Sequence, residues 1–349
     1  MSVTLMAQPV EEEACRPVRV LVVGGASGYF GQILFYHLSN PDIRPGLSLE
    51  LDVRVTTRAP PTGTQELQLD LRDQNSIAAA LETFSPDVVI NTAAISQPGR
   101  CEADEETANE TNVPRLLVDA LKNRGALLIH LSTDQVFDGS RSNSTESAPT
   151  SPINAYGRSK LKAEEVIRGS GCPHVILRSS IIVGPEVPGV ERPLFVQFIR
   201  NRLQEKIPTS YLVDEVRNPI YAVDICRIIQ AFIRSFVEHA RRTDGNRRDD
   251  RDSKSDHAGD ADQDHRTFRH TFNMGGVDRL SRLEMARAVA RAMGLDGINI
   301  GKLIIPCTSD DLARPYRSPL DISMDSSAVY SLTGVQPLAF EEMLGKIIF

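Results

Sequence analysis

Arg19-Val-Leu-Val-Val23 runs directly into Gly24-Gly25-Ala26-Ser27-Gly28-Tyr29-Phe30-Gly31, and this junction decides the fold. A short, uniformly apolar run with β-branched residues reads as a strand buried on both faces, and the residues from Gly31 to Leu38 open a helix. Glycines at 25, 28 and 31 let the chain turn sharply and bring helix N-terminal amides up to a pyrophosphate, where the helix dipole favours negative charge. A glycine-rich turn alone is a weak signal. At a strand-to-helix junction near the start of a chain it predicts dinucleotide binding.

Outward from that junction the alternation continues. Strands are expected at Leu51–Thr56, Asp87–Ile90, Leu127–Leu131 and Val175–Arg178, with helices at Asn75–Thr83, Ala108–Lys122 and Tyr156–Ile167. Strand and helix repeating at this spacing predict a doubly wound α/β Rossmann domain with a parallel sheet, covering residues 18–185. Beyond residue 185 the alternation loosens, and helical patterns at Phe195–Leu203, Ala222–Val237 and Ser281–Met293 predict a small interleaved C-terminal substrate lobe over 186–345, with returns to the sheet. Residues 1–17, with Glu11, Glu12 and Glu13, read as a flexible N-terminus. Residues 238–269 hold 9 acidic and 8 basic residues with Phe268 as the one large apolar side chain, which predicts a disordered charged insertion.

Composition bounds the function. The 349 residues are 41% hydrophobic and 24% charged, as in a globular enzyme, and Lys+Arg 39 against Asp+Glu 46 offers no basic surplus for nucleic acid or an anionic membrane. Five scattered cysteines suggest neither a zinc site nor a disulfide framework, so no metal is expected and reduced thiols are. The N-terminus lacks a basic and apolar leader, and no apolar run approaches a membrane span; a cytoplasmic protein is expected.

The chemistry concentrates at the carboxyl ends of the strands. After the second strand, Thr56-Thr57-Arg58 offers no carboxylate to a ribose 2′-hydroxyl, while Arg58 suits a 2′-phosphate, so NADP(H) is favoured over NAD(H). Asp70 is placed to accept from an adenine amino group. Tyr156-Gly-Arg-Ser-Lys160 puts phenol and ammonium on one helix face, where the cation would favour the phenolate. Only 7 of the 39 cations are Lys, so this spacing arises by chance ~0.14 times in such a chain. Thr133, at the end of the strand beginning at Leu127, could donate to a substrate carbonyl and orient Tyr156.

Taken together, these motifs resemble the extended short-chain dehydrogenase/reductases. Leu-Ser132-Thr133-Asp134-Gln-Val-Phe137-Asp138-Gly139 is similar to the dTDP-4-dehydrorhamnose reductase family, which also includes the regulatory beta subunit of methionine adenosyltransferase. Val89-Ile90-Asn91-Thr92-Ala93-Ala94, Leu177-Arg178-Ser179-Ser180 and Arg217-Asn218-Pro219-Ile-Tyr221 support the resemblance. It implies a catalytic set of Thr133, Tyr156 and Lys160. It further implies Gly25, Ser27, Gly28, Tyr29, Phe30 and Gly31 at the pyrophosphate, Asp70 and Leu71 at adenine, Ala93 and Ala94 flanking the cofactor, Ser180 and Ile181 by the nicotinamide, and Arg217 and Asn218 on the substrate side. Asn112 is read as a packing or water-holding residue. The expected partner is a sugar-nucleotide substrate or, in a regulatory homologue, a methionine adenosyltransferase catalytic subunit; a homodimer is compatible with either. The loop Ser96–Glu102 departs from the family pattern, and the chain has no Trp to stand beside a sugar.

Overall fold

A computed structural model describes residues 16–44, 47–190, 193–249, 268–295 and 300–347. Its centre is a seven-stranded parallel sheet: β1 Val18–Val23, β2 Leu51–Thr57, β3 Glu66–Gln68, β4 Val88–Asn91, β5 Leu127–Thr133, β6 His174–Ser179 and β7 Arg269–Met274. Their spatial order is β7-β6-β5-β4-β1-β2-β3. The crossover between β3 and β4 moves the chain from one side of β1 to the other, which opens a crevice at the carboxyl ends of β1 and β4.

Helices α1 Tyr29–Ser39, α2 Gln74–Phe84, α3 Pro98–Ala103, α4 Glu105–Asn112, α5 Arg115–Leu121 and α6 Ala155–Gly169 follow in order. The sequence led us to expect one helix from Ala108 to Lys122. Instead α4 ends at Asn112 and α5 begins at Arg115, because Pro114 has no N–H to continue the ladder. Two apolar clusters cover the sheet. One joins Val20, Val22, Val53, Ile90 and Ile129 to α1 and to α8 Ala222–Asp249; the other joins Leu21, Val89, Leu128 and Ile176 to α2, α5 and α6. Alternate residues of β1 feed the two clusters, the mark of a strand buried on both faces.

The lobe has its own core, built from α7 Phe195–Gln204, α9 Arg282–Ala292 and the helix Phe340–Ile347. Short pairings tie it together: Ile182–Val183 with Ile220–Tyr221, Val216–Arg217 with Leu280–Ser281, and Thr209–Leu212 with Ile304–Cys307. Both returns to the sheet, α8 and β7, flank the charged segment. Helix α8 runs on as far as Asp249, so the first part of 238–269 is helical rather than disordered; Arg241, Arg242 and the surrounding residues extend a helix already nucleated by the buried stretch Ile225–Val237. The expected disorder over 250–267 lies outside the described residues, as does the expected flexibility of residues 1–15. Phe268, by contrast, packs on Phe236, and Arg16 forks onto Asp87. Among the described residues no helix is long and apolar enough to cross a membrane.

Candidate active site

The turn after β1 is held from β2. Gly24 N–H donates to Thr56 Oγ1 at 3.0 Å and Ala26 N–H to the Thr56 carbonyl at 3.3 Å. Gly24 itself takes φ +78°, and a Cβ there would lie 2.9 Å from Ala93 Cβ. At Gly31 an added Cβ would stand 2.7 Å from Gly25 Cα and 3.0 Å from the Gly24 carbonyl, so helix and turn are in backbone contact. Gly28 precedes α1 without a side-chain cap, which leaves the first helical amides to an outside acceptor. A cradle emptied of side chains, at a helix N-terminus, fits the pyrophosphate of a dinucleotide.

The residues expected around that cradle fall into two groups. Ser27 is exposed, Ala93 meets Gly24 from just beyond β4 with half-buried Ala94 following it, and Arg58 stands exposed beyond β2. Phe30 and Leu71 differ: their side chains are buried in the cores on either face of the sheet, so only their backbones are available to a ligand. Tyr29 turns away from the cradle and donates to the Pro185 carbonyl at 2.8 Å. Its ring closes one side of a cavity of about 370 Å³ that Val187, Leu194, Gln197 and Asn201 also line. The Asp70 carboxylate is occupied by Arg72, with contacts of 3.0 and 2.7 Å that hold its pKa down to about 2.

Helix α6 is placed by its own cap and by two neighbours. Asn154 accepts from Gly157 N–H at 2.9 Å, Glu102 accepts from Ala155 N–H at 2.8 Å, and a Cβ at Gly157 would lie 2.2 Å from the Gln135 carbonyl. Glu102, at the end of the loop that begins at Ser96, therefore anchors the helix that carries Tyr156. Asn112 staples the same region: it accepts from Ile95 N–H at 2.7 Å and donates to Ser159 Oγ at 2.9 Å, as expected of a packing residue. Farther along α6, Glu164 is buried against Arg178 and Ser132, at 2.8 and 2.6 Å.

Tyr156 and Thr133 meet at the carboxyl end of β5, and both are buried. Thr133 Oγ1 lies 3.1 Å from Asp134 Oδ1, and Asp134 accepts from Ser180 Oγ at 2.8 Å. Burial holds the Asp134 carboxyl above its ordinary range and the Tyr156 phenol above its own, with the Asp134 charge adding to the latter. The expected easing of the phenol by Lys160 is thus absent from this arrangement. Lys160 points inward instead, donating to the Leu131 carbonyl at 2.6 Å and meeting His130 Nε2 at 3.0 Å. Burial brings its ammonium down to about 7.

On the expected substrate side the two residues are engaged within the protein. Arg217 is 2% exposed and spends its guanidinium on the carbonyls of Val216, Pro319 and Leu320 and on Ser318 Oγ, at 2.7 to 3.3 Å. The Asn218 side chain donates to the Asp278 carbonyl at 3.3 Å and accepts from Met324 N–H at 2.8 Å, while its backbone N–H donates to Ser180 Oγ at 3.2 Å. Both Arg217 Nη groups are bonded to residues 216–320, and Asn218 holds Met324, so the pair clamps the segment 318–324 against the lobe. Ser180 is likewise engaged through its hydroxyl, and Ile181 packs into the lobe core. Asn91, His130 and Asp134 were missed as contributors. The signal was legible for His130, a lone polar residue within Leu127-Leu-Ile-His-Leu131, and for Asn91 at the end of a fully buried strand.

The RmlD substrate binding domain model matches residues 19–245. Methionine adenosyltransferase 2 subunit beta of Danio rerio is 28% identical over 321 residues, covering 91% of this chain and 86% of its own. The dTDP-4-keto-6-deoxy-D-glucose reductase of Streptomyces niveus is 36% identical over 174 residues, 48% of this chain and 57% of its own. Among solved structures, a dTDP-4-dehydrorhamnose reductase from Bacillus anthracis in complex with NADP superposes with a TM-score of 0.74 at 20% identity, covering 95% of this chain and 99% of that one.

Proposed function

The chain belongs to the RmlD substrate binding domain family, and from that membership we propose that it is an NADPH-dependent reductase acting on a 4-keto-6-deoxy sugar nucleotide. The observation that carries this reading is the convergence of Thr133 and Tyr156 at the end of β5, with Lys160 one helical turn behind, two strands along the sheet from the glycine cradle. The nicotinamide, when bound, supplies a hydride to the sugar carbonyl. Tyr156 holds the proton that the developing alkoxide needs, and its raised pKa keeps the phenol protonated until then. Thr133 polarises the same carbonyl and orients the phenol. The apolar packing of Tyr156 on Cys101 and Ala108 excludes water from the proton transfer. The cradle glycines and the amides at the start of α1 would hold the pyrophosphate, and Arg58 a 2′-phosphate, which favours NADP over NAD.

A second reading is favoured by one observation. Relatives matched over about nine-tenths of this chain are methionine adenosyltransferase 2 beta subunits, and Arg217 and Asn218 are engaged in internal bonds. In that reading the same cradle holds NADP without turnover and the chain docks on a methionine adenosyltransferase catalytic subunit.

Loss of NADPH absorbance with dTDP-4-keto-6-deoxy sugars, measured beside Tyr156→Phe, separates the two. Turnover at least about a hundredfold above that variant is expected. NADPH binding without turnover, together with co-purification with a methionine adenosyltransferase, would overturn the reductase and establish the regulator.

A further inference from the structure

Behind the candidate active site runs a buried chain of nitrogens. Ala93 N–H donates to Asn91 Oδ1 at 3.1 Å, Asn91 Nδ2 meets His130 Nδ1 at 3.2 Å, His130 Nε2 meets Lys160 Nζ at 3.0 Å, and Lys160 Nζ donates to the Leu131 carbonyl at 2.6 Å. Asn91, His130 and Lys160 are each no more than 1% exposed, so solvent relieves neither contact of the imidazole, while Ala93 and Leu131 at the two ends are half-buried.

With the Asn91 oxygen on the Ala93 N–H, the hydrogens in this chain run in one direction. A backbone N–H can only donate, so Ala93 fixes the oxygen of Asn91 on its own side and turns the amide nitrogen toward His130. That nitrogen also only donates, so Nδ1 of His130 must be the acceptor and Nε2 must carry the ring hydrogen. Nε2–H then requires a lone pair on Nζ, and a lysine nitrogen has one only as the neutral amine. An ammonium would set N–H against N–H. Reversing the Asn91 amide would strand the Ala93 N–H, and an imidazolium would oppose both neighbours.

The groups facing Lys160 agree. Among the described residues no carboxylate lies within ion-pair distance of Nζ; the nearest source of negative field, Glu164 on the same helix, is saturated by Arg178 from β6, by Arg168 and by Ser132. From β5 the facing groups are His130 and the Leu131 carbonyl, and from β4 only neutral Asn91 stands behind the imidazole. A buried ammonium without a counter-ion is costly, a buried amine much less so.

We propose that His130 is a positioning residue, pinned by Asn91 and the Ala93 amide in the Nε2–H tautomer, that holds Lys160 as a neutral amine in the ligand-free protein. The backbone at Ala93, where a dinucleotide would lie, is thereby wired to the protonation state of the lysine. In the reductase reading, on which the kinetic consequence rests, the amine must take a proton from solvent before it can favour the Tyr156 phenolate, so turnover falls as pH rises above neutrality.

The decisive variant is Asn91→Asp, which is nearly isosteric but accepts on both oxygens. Ala93 N–H keeps its acceptor, Nδ1–H of His130 now donates to the second oxygen, Nε2 becomes the acceptor, and Lys160 becomes an ammonium. Nitrogen-15 NMR of the histidine rings in the full chain, with His130→Gln to assign the signal, reads the tautomer without cofactor or substrate. The expected result is a bare Nδ1 and a protonated Nε2 in the wild type, exchanged in Asn91→Asp. A protonated Nδ1 in the wild type overturns the proposal, and this measurement decides it even if Asn91→Asp fails to fold. Where turnover is found, the alkaline limb of kcat should move up by about one pH unit in Asn91→Asp; an unmoved limb in a folded variant overturns the control over Lys160. Absence of any turnover would count against the reductase reading alone and leave the tautomer result standing.

Discussion

The glycine cradle and the Arg217–Asn218 corner sit at the same end of the same molecule and are built in opposite ways. Along Gly24–Gly31 side chains are removed wherever helix, turn and β4 approach, and backbone donors at the start of α1 are left over. At Arg217 and Asn218 rich side chains are present and their bonding capacity is spent on Val216, Ser318, Pro319, Leu320, Asp278 and Met324. A polar residue beside a crevice is therefore not a binding residue until its donors have been counted.

The contrast can be broken first at the clamp. Arg217→Met leaves the carbonyls of Pro319 and Leu320 without their donor and removes a buried neighbour of Glu215, and it should lower unfolding free energy by about 3 kcal/mol in a urea titration while NADPH affinity stays unchanged. A large loss of NADPH affinity without loss of stability would mean that Arg217 serves the ligand after all.

The cradle should respond to a single methyl group. In Gly31→Ala the new Cβ meets the backbone of Gly25 and Gly24, which cannot swing aside, so a destabilisation of about 1–3 kcal/mol is expected, with NADPH affinity lost beyond measurement in a fluorescence titration. Gly169→Ala, at the open end of α6 with nothing near its Cβ, provides the matched control and should stabilise by about 0.5 kcal/mol. Equal behaviour of the two variants would contradict the close approach of helix and turn.

A pH-dependent effect sharpens the comparison inside the site. Lys160 has its pKa brought down to about 7 by burial, below its value in the unfolded chain. Between the two values the unfolded chain holds a proton that the native protein does not, so this group makes stability rise with pH, by up to about 1.4 kcal/mol per pH unit. Thermal unfolding from pH 7 to pH 9 should therefore gain on a Lys160→Met variant as pH rises. A constant difference between the two would show that Lys160 keeps its proton on folding.

Much of this was readable in advance. Val18–Val23 is uniformly apolar because both faces of β1 are covered, and the Gly-Gly-x-x-Gly-x-x-Gly run has few structural uses besides a tight turn under a helix, so the cradle and its sheet followed from local pattern. Four-residue spacing singled out Tyr156 and Lys160 as candidates, and a place at a strand end singled out Thr133. The bonds of Arg217 were not, because its partners lie about a hundred residues away in a segment with no pattern of its own. Nor was the direction of Lys160: helical spacing puts it on the face of Tyr156, but a long side chain goes where its nitrogen is satisfied, and that is beneath β5.

By itself, then, the sequence determined the alternation of strand and helix and the glycine turn under α1, since each depends on neighbours within a few residues. The tertiary structure alone decided which polar groups remain available. Availability is a matter of hydrogen-bond accounting among residues brought together from β4, β5, α6 and the 318–324 segment, and no local pattern records it. The Ala93–Asn91–His130–Lys160 chain is the sharpest instance: four residues unremarkable one by one, whose order in space leaves the hydrogens a single direction.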